Sequence, residues 1–185
     1  MIESSLSNAG SDYLLTLRAR NCTSGDMVDE EQSRAAGKDD IIKELGRLTA
    51  RLQSKSTAKF TALQKNAAPL EAATTSSLEA LKSFNAARRQ SYAAPADSLL
   101  LFKRAVEIDP EFALAHAFLG RALADSGEQN LASESIRRAY LLRGLVTDKE
   151  NYFITYSYNR EVLRNLEICR QICESWIAKY PQDLQ

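Results

Sequence analysis

The stretch "LLLFKRAVEIDPEFALAHAFLGRALADSGE", Leu99 to Glu128, decides how the rest of the chain is read. It is apolar at helical spacing on both sides of Asp109-Pro110. A proline inside one continuous helix removes a hydrogen bond and clashes with the turn before it. The stretch therefore predicts two helices that meet at Pro110. Working outward in both directions, helical character runs from "SSLE" to the end of the chain. Ser76 and Glu79 stand there at the spacing of a capping box, ahead of Leu78, Leu81 and Phe84.

Composition excludes several classes of function. The 185 residues are 44% hydrophobic, enough to bury a core as one domain or two small ones. Lys plus Arg and Asp plus Glu are equal at 24 each, so no basic field would attract nucleic acid or an anionic membrane. No stretch approaches the roughly 20 apolar residues of a membrane span. The start "MIESSLSNAGSD" has neither the basic nor the apolar region of a signal peptide. The chain reads as soluble, without direct membrane insertion or nucleic-acid binding. Three cysteines, Cys22, Cys169 and Cys173, give an odd count and no disulfide framework. With a single histidine to complete a metal site, Cys169 and Cys173 read as small apolar core residues.

Ahead of the helical part, "SDYLLTLRARNC" alternates Tyr13, Leu15, Leu17 and Ala19 against Arg18 and Arg20. That is a strand pattern, and residues 23–26, "TSGD", supply a turn from which "MVDEEQSRAA" returns antiparallel. Strands are expected at about residues 2–7, 12–22 and 27–36. A helix is expected at about 39–56, where Ile41, Leu45, Leu48 and Leu52 recur at spacings of four, three and four and Asp39 and Asp40 favour the N-terminus. Such a small sheet is a poor independent unit: either the helical part covers it or residues 1–66 are part of a larger α/β domain, and the second is the expectation. Residues 67–74, around Pro69, read as a linker.

The helical part repeats. With Ala113 as position one of a 34-residue unit, Leu119-Gly120 falls on the Leu-Gly pair of the tetratricopeptide pattern. Leu123 replaces its tyrosine, Ala132, Ile136 and Ala139 take the small, bulky and small positions, and His116 takes the large N-terminal one. The preceding unit has Ser98, Phe102, Ala105 and Pro110 at matching offsets, with an Ala-Pro-Ala-Asp turn in place of a Gly-centred one. In the last unit Pro181 falls three residues late, which predicts a longer first helix or an insertion. Cys169, Cys173 and an oversized Trp176 fall on its small, bulky and small positions. The expected fold is mainly α: about three such repeats, over residues 75–112, 113–146 and 147–185, preceded by the small α/β segment of antiparallel strands plus a helix.

The runs "YLLTLRARNCTSGDMVDEEQSRAAGKDDIIKELGRLTARLQ", "APLEAATTSSLEALKSF", "LFKRAVEIDPEFALAHAFLGRALADSGE" and "AKYPQD" together resemble a known arrangement. It is the C-terminal part of large bacterial serine/threonine protein kinases, common in acidobacteria. There a kinase domain and a transmembrane segment precede a TolB-like α/β region and tetratricopeptide repeats. The resemblance covers essentially all of the chain, and its "PLEAATTSSLEAL" junction is the more specific part. It implies a regulatory or sensory role in signal transduction, within a membrane-anchored parent and on either side of the membrane. Winged-helix regulators and adenylate cyclases with a similar arrangement are alternative parents, and a stand-alone adaptor is another reading.

The chain has no Gly-rich phosphate loop, no His-Arg-Asp and no Asp-Phe-Gly, so it is expected to be non-catalytic and to need no cofactor. Its expected partner is a protein or peptide on the concave face of the repeats, or a second copy of the chain. The repeat register places Leu114, Ala117, Arg121, Ala124 and Asp125 on that face from the middle unit. From the third unit it places Asn151, Thr155, Tyr158 and Asn159 there. In the aromatic run, Phe153 and Tyr156 are expected to pack inward, leaving Tyr152 or Tyr158 free for contact. The lysine and asparagine pattern that clamps a peptide C-terminus in some repeat proteins is not reproduced.

Overall fold

The computed structural model describes residues 1–38, 40–55 and 75–181. The expected linker at 67–74 and the Asp39 helix start lie outside the described residues. The chain divides into two compact units, Met1–Glu71 and Ala72–Gln185.

The first unit is a three-stranded antiparallel sheet with one helix. Strands β1 (Ile2–Ala9), β2 (Asp12–Arg20) and β3 (Met27–Ala35) pair in chain order, with Leu6 opposite Leu15 and Leu17 opposite Glu31. Gly10 and Gly25 supply the positive φ that the two tight turns require. Helix α1 (Asp40–Lys55) packs on β2 and β3. Its Ile41, Ile42, Leu48 and Leu52 are buried, as are Leu15, Leu17 and Ala35 of the sheet. Leu45, expected on the same stripe, is only half-buried. Glu44 accepts from the Ser33 hydroxyl at 2.6 Å, and Lys55 pairs with Glu31. On the other side of β2, as its alternation predicts, Arg18 pairs with Glu30 at 2.7 Å and Arg20 with Glu3 at 3.1 Å.

The second unit is three helix pairs: α2 (Leu78–Gln90) with α3 (Pro95–Ile108), α4 (Ala113–Asp125) with α5 (Gln129–Leu142), and α6 (Asp148–Glu161) with α7 (Leu166–Lys179). Asp109-Pro110 is a pivot between pairs, and Asp109 holds it with several groups at once. Its backbone N–H closes α3 on the Ala105 carbonyl. One carboxylate oxygen accepts from the Glu111 N–H at 3.0 Å, and the other accepts from the Thr75 hydroxyl. Thr75 also accepts from the Ser77 N–H at 3.0 Å, so the entry to the first pair is tied to its exit.

That tie corrects the expected cap. Ser77, not Ser76, is the N-cap of α2 and accepts from Ala80, while Ser76 is exposed. Both serines have the chemistry to cap; Thr75, buried against Asp109, sets which one does. The capping box with both reciprocal bonds is at α6, where Thr147 and Glu150 satisfy each other's N–H groups.

The first core is built from Ala80, Phe84, Ala87, Phe102, Ala105, Phe112, Ala115, Leu119, Leu123 and Ala132. A second, of Ala113, Ala117, Ala139 and Ile154, seats the third pair on the middle one. Gly120 allows α4 and α5 to touch: a Cβ there would stand 2.3 Å from Ile136 Cγ1. Gly127, at φ +90, ends α4, and the Glu128 N–H reaches back to the Leu123 carbonyl at 2.9 Å. The late Pro181 does not come from one insertion. Helix α6 has 14 residues where α4 has 13. The links at 143–147 and 162–165 are each one residue longer than their counterparts at 109–112 and 126–128. Arg164, at φ 54, makes the last turn without a glycine.

Candidate functional site

One aromatic side chain from the first helix of each pair joins a continuous row. Phe84 of α2 meets Phe118 of α4 edge-on at 5.4 Å between ring centroids, and Phe118 stacks on Phe153 of α6 at 4.7 Å. An arginine one turn further along its helix lies over the ring of the next pair. The Arg88 guanidinium is 5.2 Å from the Phe118 centroid, and that of Arg121 is 5.9 Å from Phe153. Neither guanidinium has a carboxylate partner among the described residues. Arg88 is exposed and Arg121 half-buried.

The structure divides the expected face residues. Arg121 and the exposed Asp125 are accessible, and Leu114 and Ala124 are half-buried against the first core. Ala117 is fully buried between the middle and third pairs, so it presents nothing to a partner. Asn159 is also buried, and its Nδ2 donates to the Thr155 carbonyl one turn back at 2.9 Å. Tyr158 is stacked on Tyr140 at 4.0 Å, with Arg143 over the opposite ring at 3.7 Å. Tyr152 stacks on Trp176 at 5.7 Å and meets Tyr180 edge-on at 6.4 Å. Neither tyrosine is therefore the free anchor expected of one of them.

Asn151 and Thr155 lie apart from this row. They share a hydrogen bond of 3.0 Å and, with Asp148 and Tyr152, line a cleft of about 250 Å³ closed on the other side by Ile172 and Lys179 of α7. Lys179 pairs with Asp148, holding that carboxyl below the usual range and raising its own pKa. In the second helix of the pair, Trp176 occupies the position that Ala139 has in the middle pair. Ala139 leaves room for Ile154 of the following pair, whereas Trp176 fills that room with its own ring and Tyr152.

His116 and Cys169 each bond to a backbone carbonyl. His116 points its Nε2 at the Pro110 carbonyl, 3.1 Å away, and burial pushes its pKa down. Cys169 is buried, its thiol pKa raised chiefly by desolvation, and its Sγ donates to the Tyr156 carbonyl. Among the described residues no three His, Cys, Asp or Glu side chains are grouped to hold a metal, and no helix is long and apolar enough to cross a membrane.

Arg88 is the residue that the repeat register missed. Its signal was present: Phe84, Phe118 and Phe153 recur at nearly the repeat period, and Arg88 and Arg121 each follow the first two by one turn. Compared with protein-family models, with characterised proteins and with solved structures, the chain matches none.

Proposed function

We propose that residues 75–185 form a tetratricopeptide-type array of three repeats that acts as a non-catalytic protein-interaction module, holding a protein or peptide on the face of its first helices. The row of Phe84, Phe118 and Phe153 with its arginines carries this reading. Phe84 anchors the row in the core, and the half-buried Phe118 and Phe153 with the two arginines combine aromatic rings with cations, the residue types enriched at binding hot spots. The close α4–α5 approach at Gly120 and the matching small positions Ser98, Ala132 and Cys169 support the repeat assignment. The resemblance to kinase C-terminal regions makes a membrane-anchored bacterial serine/threonine kinase the proposed parent, with this chain as its regulatory part in signal transduction.

A photo-crosslinking residue tests the face. Placed at Asp125 it should give adducts with a partner from a cell extract, and placed at the exposed Arg137 of α5 it should give none. Equal labelling from both positions would refute the assignment. A second reading, self-assembly, rests on Leu163, Leu166 and Ile177, which are exposed in and beside α7. It requires a concentration-dependent mass in sedimentation.

A further inference from the structure

Resting on that interaction-face reading, we infer that the occupant of the face is an acidic extended peptide segment, whose carboxylates are read by Arg88 and Arg121 across the Phe118 ring. Both guanidiniums have hydrogen-bond donors to spare. Each lies over a phenylalanine of the next pair, a contact that uses none of its hydrogen-bond donors. Neither has an acceptor among the described residues, although other arginines of the unit do: Arg104 pairs with Glu79 at 2.8 Å, and Arg170 with Glu167 at 2.6 Å. The arginine fork matches a carboxylate through two parallel hydrogen bonds. Two such forks held on rings are placed for ligands before any ligand arrives.

Spacing selects the form of the ligand. The arginines belong to the first helices of adjacent pairs, which meet through their aromatic rings and so stand about 10 Å apart. An extended chain advances about 3.3 Å per residue, so carboxylates two to three residues apart lie about 7–10 Å apart, and the flexible acidic and arginine side chains take up the difference. Phe118 between them is half-buried, its ring packed against Phe84, Phe102 and Phe153, and the part left open adds an apolar contact. The fitting sequence is therefore acidic, apolar, acidic. A long polyanion such as nucleic acid fits poorly, because among the described residues the row offers two cations only and the chain has no net charge.

The test uses the full chain and fluorescence polarisation with three labelled peptides, carrying Glu-Leu-Glu, Gln-Leu-Gln or phosphoSer-Leu-phosphoSer. The Glu peptide should bind at least about tenfold more tightly than its Gln twin, and added salt should weaken it. R88Q and R121Q should each cost about tenfold. The R88K/R121K double variant should retain charge attraction yet lose part of the affinity, since lysine lacks the fork. Melting temperatures of all variants should stay near that of the parent; where R88Q lowers it, R121Q alone decides. No binding of the Glu peptide, or equal binding of the Glu and Gln peptides, overturns the inference. So does tighter binding of the phosphorylated peptide, which would make phosphate the ligand. If Asp125 crosslinking persists in any of these cases, only the acidic assignment fails; if it is also absent, the interaction face fails with it.

Discussion

Replacing Gly120 with alanine sets two effects of known size against each other. Gly120 lies inside α4, where alanine is favoured over glycine by about 1 kcal/mol. The added Cβ, however, would stand 2.3 Å from Ile136 Cγ1, 3.0 Å from Ile136 Cδ1 and 3.0 Å from the Ala132 carbonyl oxygen. Comfortable carbon contacts lie near 3.5–4.0 Å, so Ile136 must move by more than about 1 Å and the α5 backbone must give as well. Ile136 is fully buried, and overpacking of this kind costs about 1–3 kcal/mol. Because a buried side chain and a backbone oxygen are both in the way, the upper half of that range applies, and the net expectation for G120A is a loss of about 1–2 kcal/mol, which lowers the melting temperature of the helical unit by roughly 4–8 °C or more. Gly144 has nothing within 4 Å of the equivalent position, so G144A is the control and should be near neutral. Urea unfolding followed by far-UV circular dichroism measures both. Adding I136A makes the test sharper. Alone it should cost about 2–5 kcal/mol. With G120A it should cost less than the two single losses together, because the clashing atoms are gone. A G120A protein as stable as the parent, or strict additivity in the double variant, would refute the close contact between α4 and α5.

Ser98 is buried, its hydroxyl unpaired among the described residues, on the position that Ala132 and Cys169 take in the other pairs, so S98A should stabilise by about 1 kcal/mol in the same assay; a loss would mean that the hydroxyl has a partner. The lowered pKa of His116 means that the folded chain binds this proton less readily than the unfolded one. Stability should therefore be full above about pH 6.5 and fall as pH drops through the window between the unfolded value and the lower folded one, a slope that H116Q abolishes. A parent curve as flat as that of H116Q across that window would contradict the burial. Trp176 is the only tryptophan, so its emission reports on the third pair directly. W176A removes that reporter, so parent and variant are compared by far-UV circular dichroism: the variant should lose about 2 kcal/mol for a half-buried ring on Tyr152, and an unchanged urea midpoint would refute the stacking.

The division into strands and helix pairs was legible because each rests on a short-range rule. A proline cannot continue α3, alternating residues along β2 must face opposite ways, and small residues at the repeat period must mark where helices touch. The N-cap of α2 was less legible. Ser76 and Ser77 are chemically equal as caps, and the choice between them depends on Thr75 reaching Asp109, a contact that no local pattern encodes. The same limit explains the mixed outcome at the candidate face. Position in the repeat locates a residue around its own helix, and by that rule Ala117 and Asn159 are as good as Arg121.

What decides among them is the neighbouring pair. Ile154 arrives from α6 and covers Ala117, and Asn159 turns to its own backbone. Arg121 escapes because its length carries the charge over Phe153 and back to solvent. Length also distinguishes Arg88, which reaches past Phe84 to Phe118. In a stacked array the first helices meet at their aromatic residues, so a side chain that is to remain available must outreach the ring beside it. Of the residue types on these helices, arginine can do so while resting its flat cation on that ring. The accessible chemistry of this face is therefore set by contacts between one pair and the next, and a substitution at Phe118 should disturb ligand reading by both arginines at once. F118L keeps an apolar side chain in place but removes the ring beneath Arg88 and the stack that positions Phe153 under Arg121. It should weaken the Glu-Leu-Glu peptide by more than either single arginine variant while costing about 1–3 kcal/mol of stability for the lost ring contacts. Unchanged peptide affinity in F118L would show that the arginines act without their rings.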